Sequence, residues 1–485
     1  MHEHRLLQLL HSLSRREMTR FREFSESPYH NKHDAVRQLV QYLSAVYPDF
    51  TAESCERALL FQRLFPGAPH DQPKLAVIFT YTVHLLEVFL EIETILEQPA
   101  DRKPLLLGQL RRRQQLKWFE KALVKAERKS EQEEQRNADW YLQRFQLATE
   151  SDYFFTTVAE RRRDSSLQEK QHFLNRYFLA IKLRDACEMA VRERILKVAY
   201  HDPMMDVALR QVTDAPDAYQ TIPAINIYYR LYLMITKAEK THYYAVLHHL
   251  SEQQEKLPDE ELKNIYNYLQ NYCIRKINAG EAQFLQEIFQ LYQVQLDKAL
   301  LLEDGQISEW HYKNIVTTAL RLNALDWVYQ FIEAYRALLP ENARENAYRF
   351  NLASYHYTAK EYDKVLDLLT QVEYSDLRYS LGAKALLLRT YYDLGEYNTL
   401  YSLVDSFRQY LIRNKLMADG RRQGYYNLFK LTRRAAVLRE NKGYYNHRRY
   451  QREWQRLQKD THETEAVFNK AWLSERVAEL HTDPA

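Results

Sequence analysis

The sequence predicts an all-α protein built from repeated helical hairpins. Three observations carry that prediction. Glycine supplies only 9 and proline only 13 of 485 residues, well below the usual ~7% and ~5%, and sheet folds and glycine-rich phosphate loops need more. Leu, Ala, Glu, Gln, Arg and Lys, all good helix formers, dominate the chain. Third, the stretch from Ala347 to Tyr410 holds one hairpin written twice. Tyr357-Thr-Ala-Lys-Glu361-Tyr362-Asp-Lys-Val365 aligns with Tyr392-Asp-Leu-Gly-Glu396-Tyr397-Asn-Thr-Leu400, 35 residues further on.

The second helices of the two copies match position for position. Val365, Leu368, Leu369 and Val372 fall at i, i+3, i+4 and i+7, and so do Leu400, Leu403, Val404 and Phe407. That spacing is the apolar stripe of an amphipathic helix, with Leu368 and Leu403 expected in the core. Gly395 is expected to take the positive φ that ends a helix. Tyr362 and Tyr397, two residues past each turn, are expected to pack between the helices of their hairpins.

A helix–turn–helix recurring near 34 residues, with Gly395-Glu396-Tyr397 at its turn, resembles the tetratricopeptide repeat. The resemblance implies a right-handed solenoid whose first helices line a concave face. Lys360 stands where that family has a turn glycine, and Val365 and Leu400 where it usually has alanine, which marks a diverged member.

In chain order, residues 1–100 are expected to form a compact helical region. Ser14-Arg-Arg-Glu17 is a capping box, followed by Met18, Phe21 and Phe24 at three-residue steps. Breaks fall at Ser27-Pro28, Tyr47-Pro48 and Phe65-Pro66-Gly67, and Asn31 is expected to cap a helix carrying Val36, Leu39, Val40 and Leu43. The helix from Pro73 to Leu96 is apolar nearly all round, so it must be surrounded and should form the centre of this region.

Residues 101–215 predict longer, more charged helices leading into the repeats. Leu116, Phe119 and Leu123 form one stripe, and Leu174, Tyr177, Phe178 and Ile181 another. The runs Arg111-Arg112-Arg113 and Arg161-Arg162-Arg163 are expected to be solvated faces. Pro203, Pro216 and Pro223 mark a bend, with Pro223 opening a helix where its missing N–H matters little.

Residues 216–412 predict about five hairpins. Their second helices carry the stripes Tyr243/Val246/Leu247/Leu250, Phe284/Ile288/Leu291 and Trp327/Phe331/Ala334, and Asn342 is expected to cap the helix through Ala347. Residues 413–485 are expected to be basic capping helices. The wording of Ser27-Pro28-Tyr29-His30-Asn31-Lys32 and of Ile222-Pro223-Ala224-Ile225-Asn226-Ile227-Tyr228-Tyr229 resembles a family of long bacterial helical-repeat proteins, and implies no activity.

Composition narrows the function classes. The net charge of +3 gives no overall field for nucleic acid. Leu75 to Leu86, 12 residues without an acidic, Lys or Arg side chain, falls short of the ~20 apolar residues of a membrane span. The N-terminus lacks the pattern of a signal peptide. Cys55, Cys187 and Cys273 are far apart in sequence and are expected to be buried thiols in a reducing, cytoplasmic compartment. The 37 tyrosines are expected to sit at the wet edges of helix packing. Phosphate-loop, dinucleotide, zinc-protease, redox and nucleophile-elbow motifs are absent, and the adjacent His248 and His249 point about 100° apart on a helix. No cofactor, metal or catalytic residue is therefore assigned.

The expected function is a non-catalytic protein- or peptide-binding scaffold. Phe350, Ser354 and Tyr357 share one face of a first helix, and Ala385, Arg389 and Tyr392 repeat it 35 residues on. Asn351 stands where the tetratricopeptide family often places a peptide-binding asparagine, but Leu386 occupies the matching position of the next copy. The alternative is nucleic-acid binding through Lys415–Lys459. There 13 Lys or Arg, among them Arg421, Arg422, Arg433, Arg434, Arg448, Arg449 and Arg452, oppose three acids, a local charge of +10 against −7 for the remainder. Tyr425, Tyr426, Tyr444, Tyr445, Tyr450 and Trp454 interleave with them, as stacking on bases requires. An enzyme with a helical site of unfamiliar type is the third possibility.

Overall fold

The computed structural model describes residues 4–97, 102–158, 165–372, 377–413 and 419–482, and the protein is all-α. The chain divides into two units, residues 1–229 with 255–257 and residues 230–254 with 258–485, so the division falls inside the helix Pro223–Lys237.

The first unit contains α1 (Arg5–His11), α2 (Arg15–Glu26), α3 (Asp34–Ala45), α4 (Arg57–Leu64), α5 (Gln72–Glu97), α6 (Arg102–Arg112), α7 (Leu116–Gln132), α8 (Ala138–Val158), α9 (Ser166–Leu196), α10 (Pro203–Asp214), α11 (Pro216–Tyr219) and the start of α12 (Pro223–Lys237). Each of the three clustered prolines opens a helix. α1, α2, α3 and α4 all pack on α5, whose Leu75, Phe79, Leu86 and Phe89 are buried among them. α5 is thus the centre that its sequence predicts, but it is not surrounded. Val77, Tyr81, Ile95 and Leu96 stay exposed. Taken over its whole 26 residues, α5 is also long and apolar enough, by length and composition, to cross a membrane. The uncharged 12-residue run understated it, because the 18 residues from Leu75 to Ile92 contain only two charged side chains, Glu87 and Glu91.

The capping box forms as predicted. The Glu17 N–H donates to Ser14 Oγ (3.2 Å) and the Ser14 N–H to Glu17 Oε2 (2.6 Å). Asn31 does not cap α3. It closes the preceding loop, accepting from the His33 N–H (2.9 Å) and donating to the Ser25 carbonyl (2.8 Å). In α9 the predicted stripe is half-buried, while Phe173, Leu179, Ala180, Leu183, Ala186 and Cys187 are buried. α8 and α10 both pack on α9, so its buried face is broader than one stripe. Arg111 is not merely solvated, since its guanidinium binds Glu150 at 2.9 Å. Arg161, Arg162 and Arg163 lie outside the described residues.

The second unit contains α13 (Lys240–Gln253), α14 (Asp259–Asn278), α15 (Phe284–Asp297), α16 (Glu309–Arg321), α17 (Leu325–Tyr335), α18 (Arg344–Thr358), α19 (Tyr362–Thr370), α20 (Leu377–Leu394), α21 (Tyr397–Arg413), α22 (Asp419–Glu440), α23 (His447–Glu463) and α24 (Lys470–Thr482). Between α15 and α16 a two-residue antiparallel pairing, Leu302–Glu303 with Gln306–Ile307, turns at Asp304 and Gly305, both at positive φ. Asp-Gly is the preferred dipeptide for that hairpin turn.

From α14 on, the helices pack in one recurring order. The members of each pair α14–α15, α16–α17, α18–α19 and α20–α21 pack on each other, and each second helix packs on the next first helix. The first helices α16, α18, α20 and α22 also pack in succession, and α24 follows on α22. The same backbone turn closes each of the four pairs. Gly280, Asn323, Lys360 and Gly395 take φ of +90°, +57°, +61° and +77°. The next N–H donates back across the turn: Glu281 to Lys276 (2.9 Å), Ala324 to Ala319 (3.0 Å), Glu361 to His356 (2.9 Å), Glu396 to Tyr391 (2.9 Å). This is the Schellman closure, which satisfies a carbonyl left open at a helix end.

Burial repeats with the same offset. Val365, Leu369 and Val372 are buried, as are Leu400, Val404 and Phe407, whereas Leu368 and Leu403 are only half-buried. The 35-residue register is right and the assignment of Leu368 and Leu403 to the core is corrected. Tyr362 and Tyr397 are half-buried too. In α17 the buried residues are Val328, Phe331 and Ile332, with Trp327 half-buried and Ala334 exposed. The turn residue Asn323 sets α17 to start at Leu325, so Trp327 is the third residue of that helix rather than the equivalent of Tyr362. Asn342 makes no cap; α18 begins at Arg344 without a side-chain cap, and Glu345 pairs with Arg336 at 2.8 Å. The wet-edge expectation for tyrosine also fails at Tyr243, Tyr272, Tyr312 and Tyr392, which are among the largest fully buried side chains. Burial is tolerated where the hydroxyl finds a carbonyl: Tyr272 donates to Ala238 (3.1 Å) and Tyr312 to Ile332 (2.8 Å).

Leu369→Ala should lower stability by about 2–5 kcal/mol, the range for emptying a buried leucine site, and Leu368→Ala by distinctly less. Urea unfolding of the two variants side by side measures this; equal losses would contradict the burial pattern. Lys360 is the one turn residue of the four that is neither Gly nor Asn. Lys360→Gly should gain about 0.5–1 kcal/mol, because a left-handed non-glycine residue costs about 1–2 kcal/mol and glycine's extra unfolded freedom returns only part of that. The shift of the urea midpoint at constant m-value reads it.

Candidate functional site

One concavity of about 470 Å³ in the second unit brings together four of the six predicted groove residues, Phe350, Ser354, Tyr357 and Arg389. Its floor comes from three successive first helices. α16 contributes Lys313, Thr317 and Leu320; α18 contributes Phe350, Ser354 and Tyr357; α20 contributes Ala385 and Arg389. These stand ten, six and three residues before the left-handed residues Asn323, Lys360 and Gly395. The third position of α20 is Tyr392, which is not in the lining. It is 1% exposed, its ring meeting Trp472 edge-on at 5.6 Å.

The local geometry explains which predicted residues are available. Phe350 lies across Gly382, where an added Cβ would come within 2.9 Å of its ring; glycine lets α20 approach α18 there. Ser354 turns its hydroxyl to the Phe350 carbonyl (2.9 Å). Asn351 is 1% exposed and donates to the Ala347 carbonyl at 2.8 Å, so it is a core residue, not a ligand-binding one. Burial pushes the Tyr357 phenol well above its usual pKa, and its hydroxyl donates to Asp393. The Asp393 side chain is 6% exposed and binds Arg476 of α24 at 2.7 Å. Arg389 lies between two rings, 4.1 Å from the Tyr357 centroid and 5.5 Å from that of Trp472.

The opposite wall is the C-terminal segment, through Phe468, Asn469, Ala471 and Trp472, with Tyr425 of α22 beside it. Phe468 stacks on Tyr425 at 4.2 Å, and its N–H donates to the Gly424 carbonyl at 3.2 Å. A Cβ on Gly424 would sit 2.8 Å from the Phe468 ring, so this approach requires glycine.

No family model, curated protein or solved structure matches the chain.

The basic segment divides into two groups. Arg433 binds Asp405 and Arg434 binds Asp460, each at 2.6 Å, and those two arginines tie helices of the second unit together. Arg421 is exposed, Arg422 half-buried, and Lys415 lies outside the described residues. Arg448, Arg449 and Arg452 are exposed on α23, with Arg449 over the Tyr445 ring at 3.9 Å. The interleaved aromatics are mostly committed elsewhere. Tyr450 is buried and donates to the Leu480 carbonyl (2.9 Å), and the Trp454 indole donates to Val477 (2.9 Å). Tyr444 is 87% exposed. Stacking by Tyr450 and Trp454 on bases is thereby corrected: both pack in the core that α24 completes.

Sequence reasoning missed Lys313, Thr317 and Leu320, although the offset from a turn residue would have found them once Asn323 was recognised. It also missed Trp472 and the Asp393–Arg476 pair, for which no local signal exists. Asp393→Ala should destabilise by about 2–3 kcal/mol. That is below the ~3–5 kcal/mol of a fully buried broken pair, because Arg476 is still 23% exposed and partly screened. Thermal unfolding against an Asp405→Ala control, whose ion pair is more exposed, checks the ranking.

Proposed function

We propose that the second unit is a solenoid of diverged tetratricopeptide-like hairpins and that the protein is a non-catalytic protein- or peptide-binding scaffold. One observation carries the reading. Equivalent positions of three successive hairpins, set by equivalent turns, converge on one concavity, the way a repeat array builds a binding surface. Burial of all three free cysteines supports a reducing, cytoplasmic setting, with α5 acting as a core helix.

Thr317 is exposed and lines the concavity, so Thr317→Trp fills it without entering the core. The variant should keep the helical circular dichroism spectrum and unfolding midpoint of the wild type. It should lose at least tenfold of the partner recovered by affinity purification and mass spectrometry. A folded variant that retains its partners at wild-type levels would rule this face out.

A second reading, nucleic-acid binding, is favoured by one feature. Arg448, Arg452 and Arg456 are exposed at i, i+4 and i+8 of α23, a row suited to phosphates. If it holds, oligonucleotides are retained at about 50 mM salt and released steeply by about 200 mM, and reversing the three charges abolishes retention. No retention at the lower salt removes this reading.

A further inference from the structure

We propose that the concavity takes an acidic segment of a partner protein, anchored by one large apolar side chain. This rests on the scaffold reading above and specifies its ligand. Among the described residues the lining contains three cations, Lys313, Arg321 and Arg389, and neither Asp nor Glu. Asp393, four residues beyond Arg389, is committed to Arg476 and Tyr357 and almost fully buried, so its charge is already matched.

Arg389 is held for the purpose. Its guanidinium lies against the rings of Tyr357 and Trp472 and also interacts with the Tyr357 hydroxyl. A guanidinium carries five N–H donors, more than the Tyr357 hydroxyl accepts, so it can still pair with a carboxylate. Two buried donors beside the concavity, Arg389 Nε and Trp472 Nε1, meet no acceptor among the described residues. The site is therefore rich in positive charge. Phe350, Leu386, Phe468 and Trp472 supply apolar surface next to those donors. A segment alternating carboxylates with a Phe, Trp or Leu matches both. A nucleic-acid strand matches less well, because it requires aromatic faces in a row along an open basic track, and these rings instead wall a concavity of about 470 Å³.

The test uses the full-length protein and a phage-displayed library of random dodecapeptides. Recovered sequences should be enriched in Asp and Glu around a large apolar residue. Synthetic labelled copies should bind wild type, bind Lys313→Glu and Arg389→Gln at least tenfold more weakly, and fail on Thr317→Trp. Their affinity should fall as salt rises from about 50 to about 300 mM, as screening demands. Lys313 is half-buried at the rim, so its variant tests charge even if Arg389→Gln loosens the stack. Neutral or basic peptides that bind and are blocked by Thr317→Trp would overturn the acidic ligand and leave the scaffold standing. Acidic peptides bound equally by both charge variants, or displaced by a single-stranded oligonucleotide in preference, would also overturn it. Recovery of no peptide, or of peptides indifferent to Thr317→Trp, would overturn both.

Discussion

The second unit depends on one backbone constraint, the left-handed residue that closes each helical hairpin. A helix ends with open carbonyls, and the chain must reverse without leaving them unpaired. Gly280, Asn323, Lys360 and Gly395 meet both demands with the same back-donating hydrogen bond. Once that turn is fixed, the angular position of every residue before and after it is fixed as well. The buried triads Val365/Leu369/Val372 and Leu400/Val404/Phe407 follow from it on the second helices, and the lining positions follow on the first.

The spacing of these turns, 43, 37 and 35 residues, tightens toward the C-terminus. The extra length between the first two accommodates the Asp304–Gly305 hairpin. The last three turns are nearly regular, and the concavity forms there, on α16, α18 and α20. It is closed by a segment that follows the four hairpins. α24 reaches back to α20 through the Arg476–Asp393 pair and through Trp472 on Tyr392, and Gly424 permits the contact that seats Phe468. The C-terminal helices thus complete the core and supply a wall of the site.

Charge follows the same division. The basic excess of the C-terminal segment is partly spent inside the unit, in Arg433–Asp405 and Arg434–Asp460. The α23 face leaves Arg448, Arg449, Arg452 and Arg456 in solvent. The cations of the concavity come from elsewhere, from α16 and α20, where the local sequence shows no basic run.

The sequence by itself determined the helical class, the 35-residue register of the last two hairpins and the turn at Gly395. Helix periodicity and turn closure are local: they are written within one or two turns of the chain, as at Ser14–Glu17 and Gly395. The same locality made Phe350, Ser354, Tyr357 and Arg389 legible as one face. Only the tertiary structure decided which members of that face are open. Tyr392 and Asn351 carry the same pattern as their neighbours, yet Trp472 covers the first and close helix packing buries the second. Leu368 and Leu403 lie on the predicted stripe but fall at its edge, because burial depends on how the neighbouring helices approach. Arg476 and Asp393 stand 83 residues apart, and no spacing rule reaches across that distance. What periodicity specifies is the face of a helix; what covers that face is set by the packing of distant segments.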